Sequence, residues 1–201
     1  MEIITGALIV GLGYMFGSLT FSIWITKYLK NVDVRDSGSK HATTTNTIRQ
    51  AGFFAGSIVL VLDILKGFIP TYLAITFGPD WSIPLTATFA VIGHCWPIFA
   101  EFRGGMGLAT AGGALIAIMP ISFLVALAVL IVLTLVIKHS ARAAMVFGFL
   151  LPFILYILNG TPNKIYLGIG MGVVLIFRFY SDYNRKYREL WLDRDVEDGK
   201  V

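Results

Sequence analysis

Long apolar runs separated by short polar segments constrain this chain more than any other feature. Hydrophobic residues make up 56% of the sequence and charged residues 14%, against about 25% charged residues in an ordinary soluble domain. A run of about 20 apolar residues is long enough to cross a bilayer as a helix. The runs cover residues 3–28, 53–77, 83–99, 107–138, 143–158 and 165–179. The sequence therefore predicts one all-α domain, a polytopic helix bundle in a membrane.

The number of spans depends on the run 107–138, which is too long for one ordinary span and contains Pro120. It is either one long kinked helix or two short spans joined by a turn at Met119-Pro120. Seven spans put every lysine and arginine on one side except Lys164, on the other side, and Lys66, within a span. Six spans divide them almost evenly. Because cytoplasmic loops carry the excess of Lys and Arg, we predict seven transmembrane helices, with the N-terminus outside and the C-terminus cytoplasmic.

Both ends of the chain fit this arrangement. Met1 and Glu2 lead directly into the first apolar run without a basic segment, so we expect a retained span rather than a cleaved signal. Segment 181–201 is polar with mixed charges, and we predict a cytoplasmic tail that can lie along anionic headgroups. The net charge of +4 is explained by topology, so nothing indicates nucleic-acid binding.

The segment 102–110, FRGGMGLAT, is a glycine-rich basic loop between two apolar runs. Backbone N–H groups of glycines can close around a phosphate, and an arginine can grip its oxygens. Gly104, Gly105, Gly107 and Arg103 are therefore candidates for binding a lipid phosphate at the membrane surface. The same glycines could instead allow close helix packing.

The segment 32–52 is a long polar loop rich in Ser, Thr and Gly, with cations at Arg35, Lys40 and Arg49. Such a composition suits an oxyanion, because hydroxyl and backbone donors are combined with positive charge. A solvated connection between spans has the same composition, and composition alone does not choose between them.

Three further polar residues lie at or within apolar runs. Asp63 and Lys66 are three residues apart, so they share a helix face and can pair. A charge inside a span is by default a functional candidate, although a neutral pair can also lock helices together. His94, at the end of the third run, is either an acid–base group or a hydrogen-bonded structural residue.

The sequence carries no motif for a resident cofactor or metal. P-loop, HExxH and GxSxG motifs are absent, and no histidine is followed five positions later by aspartate. The only cysteine, Cys95, excludes an internal disulfide and a multi-cysteine metal site. We therefore expect neither cofactor nor metal.

These motifs resemble the acyl-phosphate:glycerol-3-phosphate acyltransferase family of bacteria (the PlsY type) over residues 17–185. Family members read GS-x-PF, D-x-R-x-x-GSGN-x-GATN-x-x-R, LD-x-LKG-x-x-P and GH-x-x-P-x-x-x-x-F[KR]GGKG-x-AT in that order. The third pattern is intact at residues 62–70. The matches in the other patterns are Gly17, Ser18, Phe21, Asp33, Arg35, Gly38, Ser39, Thr45, Asn46, Arg49, Gly93, His94, Pro97, Phe102, Arg103, Gly104, Gly105, Gly107, Ala109 and Thr110.

The resemblance implies a seven-span enzyme of the bacterial cell membrane, with its motif loops at the cytoplasmic face. It would transfer a fatty acyl group from acyl-phosphate to the 1-hydroxyl of glycerol 3-phosphate, making lysophosphatidate. Its partners are then these two substrates and membrane lipids. By residue type, we expect the catalytic set to be Ser39, Lys66 and His94. The expected phosphate-binding set is Arg35, Gly38, Thr45, Asn46, Arg49, Arg103, Gly104, Gly105 and Gly107.

The chain also departs from the family patterns. Met106 stands where GGKG has lysine, while Lys40 and His41 replace the last two residues of GSGN, and Thr43 replaces the next glycine. The family reads RH-x-x-N near its C-terminus, where this chain has Arg178, Phe179 and Asp182. These departures leave open acyl transfer with an altered acceptor or donor. An alternative hypothesis is a non-catalytic member that binds a lipid or phosphate metabolite or regulates a partner membrane enzyme. A small transporter or scaffold is a third, less favoured because its polar groups would line a pore.

Overall fold

A computed structural model describes residues 1–185, except for the side chain of Asn159. This part of the chain is helical and contains no strand. The helices are α1 (Glu2–Gly17), α2 (Phe21–Lys30), α3 (Thr44–Ala51), α4 (Phe53–Phe77), α5 (Ser82–Cys95), α6 (Leu108–Ile118), α7 (Pro120–Ile137), α8 (Ser140–Asn159) and α9 (Pro162–Tyr180). Of the predicted cytoplasmic tail, residues 186–201 lie outside the described residues.

Five helical segments of the described chain are long and apolar enough to cross a membrane. They are Glu2–Lys30, Phe53–Phe77, Ser82–Ala100, Pro120–Ile137 and Ser140–Leu158. The prediction of an all-α membrane protein is confirmed at this level.

The run 107–138 forms two helices rather than one long kinked helix, as the second of the two alternatives proposed. Met119 is extended, with φ −165° and ψ 106°, and Pro120 is the first residue of α7. Proline suits that position because its missing N–H would have no partner in the first turn. α6, at 11 residues, is shorter than an ordinary span.

The prediction of one continuous helix over 3–28 is wrong in detail, because α1 ends at Gly17 and α2 begins at Phe21. The break leaves the carbonyl of Leu19 outside the helical ladder, where it accepts a hydrogen bond from Lys66 Nζ at 2.9 Å. The long polar loop likewise contains a helix that the sequence analysis did not predict, α3. Its N-terminus is capped by Thr43, whose hydroxyl accepts from Asn46 N–H at 3.3 Å.

Small residues allow the helices to approach closely. A Cβ atom added at Gly67 of α4 would meet the carbonyl of Thr110 in α6, and one at Gly172 of α9 would meet the carbonyl of Gly148 in α8. Among the candidate spans, α5 is the most enclosed and α7 the least.

Candidate functional site

A buried polar chain links three helices beneath the glycine loop. Asp63 Oδ1 lies 2.8 Å from Lys66 Nζ, and both side chains are 3% exposed. His94 Nδ1, at the end of α5, lies 3.1 Å from the hydroxyl of Thr110 in α6 and 3.7 Å from Asp63 Oδ1. The predicted Asp63–Lys66 pair therefore forms, and it satisfies the free Leu19 carbonyl. Lys66 and His94 are enclosed by protein, so the structure places both beneath the polar surface.

The glycine loop is hydrogen-bonded to the last residues of α5. The N–H of Gly104 donates to the carbonyl of Cys95 at 3.2 Å, and the N–H of Gly105 donates to the carbonyl of His94 at 3.0 Å. A Cβ atom at Gly105 would collide with Nε2 of His94. In this conformation both N–H groups, which were expected to bind phosphate, are hydrogen-bonded to the end of α5. Gly104 and Gly105 instead permit close packing against His94.

Arg178, in the last turn of α9, binds the other side of the glycine loop. Its Nε donates to the carbonyl of Gly105 at 2.7 Å, and its Nη2 donates to the carbonyl of Gly104 at 3.1 Å. The same Nη2 lies 3.1 Å from Nδ1 of His41. Arg178 was not among the site residues expected from the sequence. Its position, a cation at the end of an apolar helix and four residues before Asp182, was the available signal.

Asn46 is fully buried and organises the long polar loop. Its amide nitrogen donates to the carbonyls of Val34, Ser37 and His41 at 2.6, 3.1 and 3.1 Å. Its Oδ1 accepts from the N–H of Ser39 at 3.2 Å. Both N–H donors of this amide are used within the loop. Asn46 therefore shapes the loop and has no donor left for a substrate phosphate.

Arg35 joins the start of the long loop to the segment that follows α5. Its guanidinium forms a two-pronged pair with Asp33, at 3.0 and 2.8 Å, and donates to the carbonyl of Ala100 at 2.9 Å. The hydrogen bonds from Arg35 hold the pKa of Asp33 below its usual range. Gly38, with φ +60°, lies against Oδ1 of Asn46, where a Cβ atom would collide. Arg35 and Gly38 thus fix the loop from within.

Of the remaining predicted phosphate ligands, Gly107 is buried against Val91 and Cys95, and the others face outward. Thr45, Arg49 and Arg103 are exposed. Ser39 is partly exposed, and its neighbour Lys40 is exposed. Within residues 1–185, Lys40, Arg49 and Arg103 make no ion pair with an acidic side chain. The long loop meets the glycine loop where the N–H of Ala42 donates to the carbonyl of Gly104 at 3.4 Å. Lys40 and Arg103 flank this junction. The exposed residues of the two loops thus lie over the buried residues that hold these loops in place.

An open pocket of about 520 Å³ lies beside this junction. It is lined by Ser39, Lys40 and His41 from the long loop and by residues 180–185 after α9. Burial and the nearby Arg178 lower the pKa of His41, although Asp182 opposes them. Burial alone would raise the pKa of Asp182, but its interactions with His41 and Arg185 outweigh this and hold it below its usual range. The described residues contain no group of three His, Cys, Asp or Glu side chains placed to hold a metal.

Comparisons with known proteins agree on one family. The sequence model of the family described as Glycerol-3-phosphate acyltransferase matches residues 7–189. A glycerol-3-phosphate acyltransferase of Fusobacterium nucleatum is 33% identical over 87% of this chain and 90% of its own. One from Listeria monocytogenes is 37% identical over 87% of this chain and 89% of its own. The crystal structure of PlsY, an integral membrane glycerol 3-phosphate acyltransferase, in its glycerol 3-phosphate form superposes with a TM-score of 0.80 at 34% identity, covering 90% of each chain.

Proposed function

The chain belongs to the glycerol-3-phosphate acyltransferase family and is a membrane enzyme of that class, and from this premise we propose that it moves a fatty acyl group from acyl-phosphate to the 1-hydroxyl of glycerol 3-phosphate. The product is then lysophosphatidate. A related structure was solved in a lysophosphatidic acid form, at 33% identity over 90% of this chain, which supports that product.

The chemistry suits a site without an enzyme nucleophile. The hydroxyl oxygen attacks the acyl carbonyl carbon, the bond from that carbon to the phosphate oxygen breaks, and inorganic phosphate leaves with the proton of the hydroxyl. Acyl-phosphate is a mixed anhydride with a good leaving group, so no covalent intermediate is needed. The protein must hold two phosphates near one another and align hydroxyl and carbonyl. Cations and hydroxyl donors suffice for this task.

The observation that carries the proposal is the set of uncommitted cations on the two loops. Arg49 and Arg103 are exposed and have no acidic partner within residues 1–185, so their charge is available to phosphate. Ser39 and Thr45 add hydroxyl donors in the long loop. Lys40 adds a cation at the junction of the two loops, where Met106 leaves the glycine loop without its usual lysine.

Lys66 and His94 support this surface from beneath. Their side chains are 3% and 5% exposed and are already hydrogen-bonded. His94 positions the glycine loop, and Lys66 closes the break between α1 and α2. We therefore assign them to positioning the cationic loops rather than to contact with substrate.

We further propose seven crossings, counting α1 with α2 as one span and α4 to α9 singly. The contacts from Arg35 to Ala100, from Arg178 to Gly105 and from Arg142 Nε to the Tyr183 carbonyl gather the motif loops and the ends of α7 and α9 at one end of the bundle. Lys164 Nζ lies 3.9 Å from Met119 Sδ, which groups the α6–α7 and α8–α9 turns elsewhere. The basic motif end is then the cytoplasmic face of the bacterial cell membrane.

The test is acyl transfer by the purified protein in detergent, with palmitoyl-phosphate and radiolabelled glycerol 3-phosphate. Arg103→Ala serves as the blank, and Lys138→Ala, an exposed cation outside the junction, serves as the matched control. We expect lysophosphatidate from the wild type and from Lys138→Ala, and a strong loss in Arg103→Ala. No product from folded wild-type protein would reject the proposed reaction. Thermal stabilisation by a phosphate ligand without turnover would favour the binding alternative.

A further inference from the structure

His41 and Asp182 meet although 141 positions separate them in the chain. His41 Nε2 lies 3.1 and 3.0 Å from the two carboxylate oxygens of Asp182. The other ring nitrogen, Nδ1, lies 3.1 Å from Nη2 of Arg178. Since Arg178 also donates to the carbonyls of Gly104 and Gly105, one continuous chain of hydrogen bonds runs from Asp182 through His41 and Arg178 to the glycine loop.

The geometry fixes the protonation state of His41. A guanidinium can only donate, so Nδ1 of His41 must accept and carries no proton. The single ring proton is then on Nε2, which donates to Asp182. The carboxylate of Asp182 thus selects the tautomer that presents a lone pair to Arg178.

These two positions are also places where the chain departs from the family patterns. The patterns have asparagine at both, whereas this chain has His41 and Asp182. An asparagine amide offers one acceptor and one donor group. A neutral histidine offers the same pair of functions, provided that something fixes its tautomer. The two departures are therefore complementary in the folded protein, because Asp182 fixes the tautomer of His41.

Resting on the proposed acyl transfer, we propose that His41 and Asp182 are positioning residues for the reaction. Together they hold Arg178 against the carbonyls of the glycine loop and thereby fix the neighbouring Arg103 at the junction where substrate phosphate binds. Neither residue needs to touch the substrate. Misplacement of a binding group by about 1 Å can lower a rate about 100-fold, so such support is sufficient to affect turnover.

The arrangement makes the site sensitive to acid. Protonation of His41 at Nδ1 would remove the acceptor for Arg178 and place two cations 3.1 Å apart. The charged groups around His41 are Arg178, Asp182 and Arg185 from the end of α9, Lys40 from its own segment and Arg103 from the glycine loop. Burial and Arg178 lower the pKa of His41 in the folded protein below its ordinary value of 6.5. The unfolded chain therefore takes up this proton first, and stability from His41 is lost as the pH falls below about 6.5.

The experiment measures kcat, KM and Tm between pH 8 and pH 5 for His41→Ala, His41→Gln and the wild type. Asp80→Asn, an exposed carboxylate outside the site, is the control. At pH 8 we expect His41→Ala to lose about 10-fold to 100-fold in kcat. Glutamine can accept from Arg178 and donate to Asp182, so His41→Gln recovers most of that loss. As the pH falls from 8 to 5, the kcat and Tm of His41→Gln should decline less than those of the wild type, because glutamine does not titrate.

Two results would overturn the proposal: wild-type kcat in His41→Ala, or an acid-side decline in His41→Gln equal to that of the wild type. Taking the ratio of each variant to the wild type at each pH cancels titration of the substrate phosphates. A wild type without any acyl transfer would reject the proposed function instead. The network would then be judged on Tm, whose acid-side decline must be smaller in His41→Gln than in the wild type.

Discussion

The ammonium of Lys66 lies 2.8 Å from the carboxylate of Asp63 and 2.9 Å from the carbonyl of Leu19, so one buried cation joins an ion pair to a helix break. A buried charge needs such partners because it is cut off from water. The buried polar residues of this bundle thus have a structural role, and they support the exposed cationic loops.

Removing one member of this pair should destabilise the protein strongly. Lys66→Met leaves the Asp63 carboxylate and the Leu19 carbonyl without a partner, and we expect a loss of about 3–5 kcal/mol in the free energy of unfolding. The double variant Asp63→Leu/Lys66→Met should lose less, because no uncompensated charge remains. Unfolding in detergent followed by tryptophan fluorescence measures both. A double variant as unstable as the sum of the single variants would contradict the pairing.

Asn46 should matter for the loop rather than for substrate affinity. Asn46→Ala removes four hydrogen bonds of the long loop, and the N–H of Ser39 loses its acceptor. We expect a loss of about 1–3 kcal/mol in stability. Asn46→Asp should do no better, since it turns an oxygen toward the carbonyls of Val34 and His41. Tm measurements test this, and a wild-type Tm in Asn46→Asp would show that the amide donors are not needed.

Gly105→Ala should disturb His94 and the glycine loop. Its new Cβ collides with the imidazole of His94, and overpacking of this kind costs about 1–3 kcal/mol. Gly11→Ala is the matched control, because a Cβ there meets nothing within 4 Å. In helix α1 that change should be neutral or stabilising by up to about 1 kcal/mol. Equal Tm values for the two variants would argue against close packing at Gly105.

Arg49→Ala should weaken substrate binding while leaving the fold intact. The side chain is exposed and makes no ion pair within residues 1–185, so stability should change by about 0.5 kcal/mol or less. If Arg49 binds phosphate, loss of a charge-assisted hydrogen bond should raise KM for glycerol 3-phosphate about 10-fold or more. Steady-state kinetics with Lys138→Ala alongside would show this. An unchanged KM would remove Arg49 from the site.

The sequence predicted the local parts of this structure better than the relations between them. Pro120 marked the division of the run 107–138, and the spacing of Asp63 and Lys66 predicted their pairing, because both signals depend on neighbours in the chain. Asn46 was expected to bind phosphate, since a side chain's type does not reveal which carbonyls surround it. Residue type likewise did not reveal that Gly105 packs against His94.

Contacts between distant segments could not be predicted. His41 and Asp182 each looked like an isolated departure from the family patterns, because nothing in either segment indicates the other. The helix α3 was hidden in a loop rich in Thr, and only its cap at Thr43 distinguishes it from a solvated connection. Family resemblance supplied the site as a whole, and folding determined which of its residues face outward.

The contact between Arg178 and the glycine loop also sets an order on biogenesis. Most of the exposed cations and the buried base belong to the first 110 residues, which leave the ribosome early, whereas Arg178 is made near the end. A nascent chain that has inserted its earlier helices therefore holds an unfinished site, whose glycine loop still lacks its hydrogen bonds from Arg178. Translation arrested before α9 should thus yield a protein that is inserted in the membrane but inactive. Activity would appear only once the last helix is made.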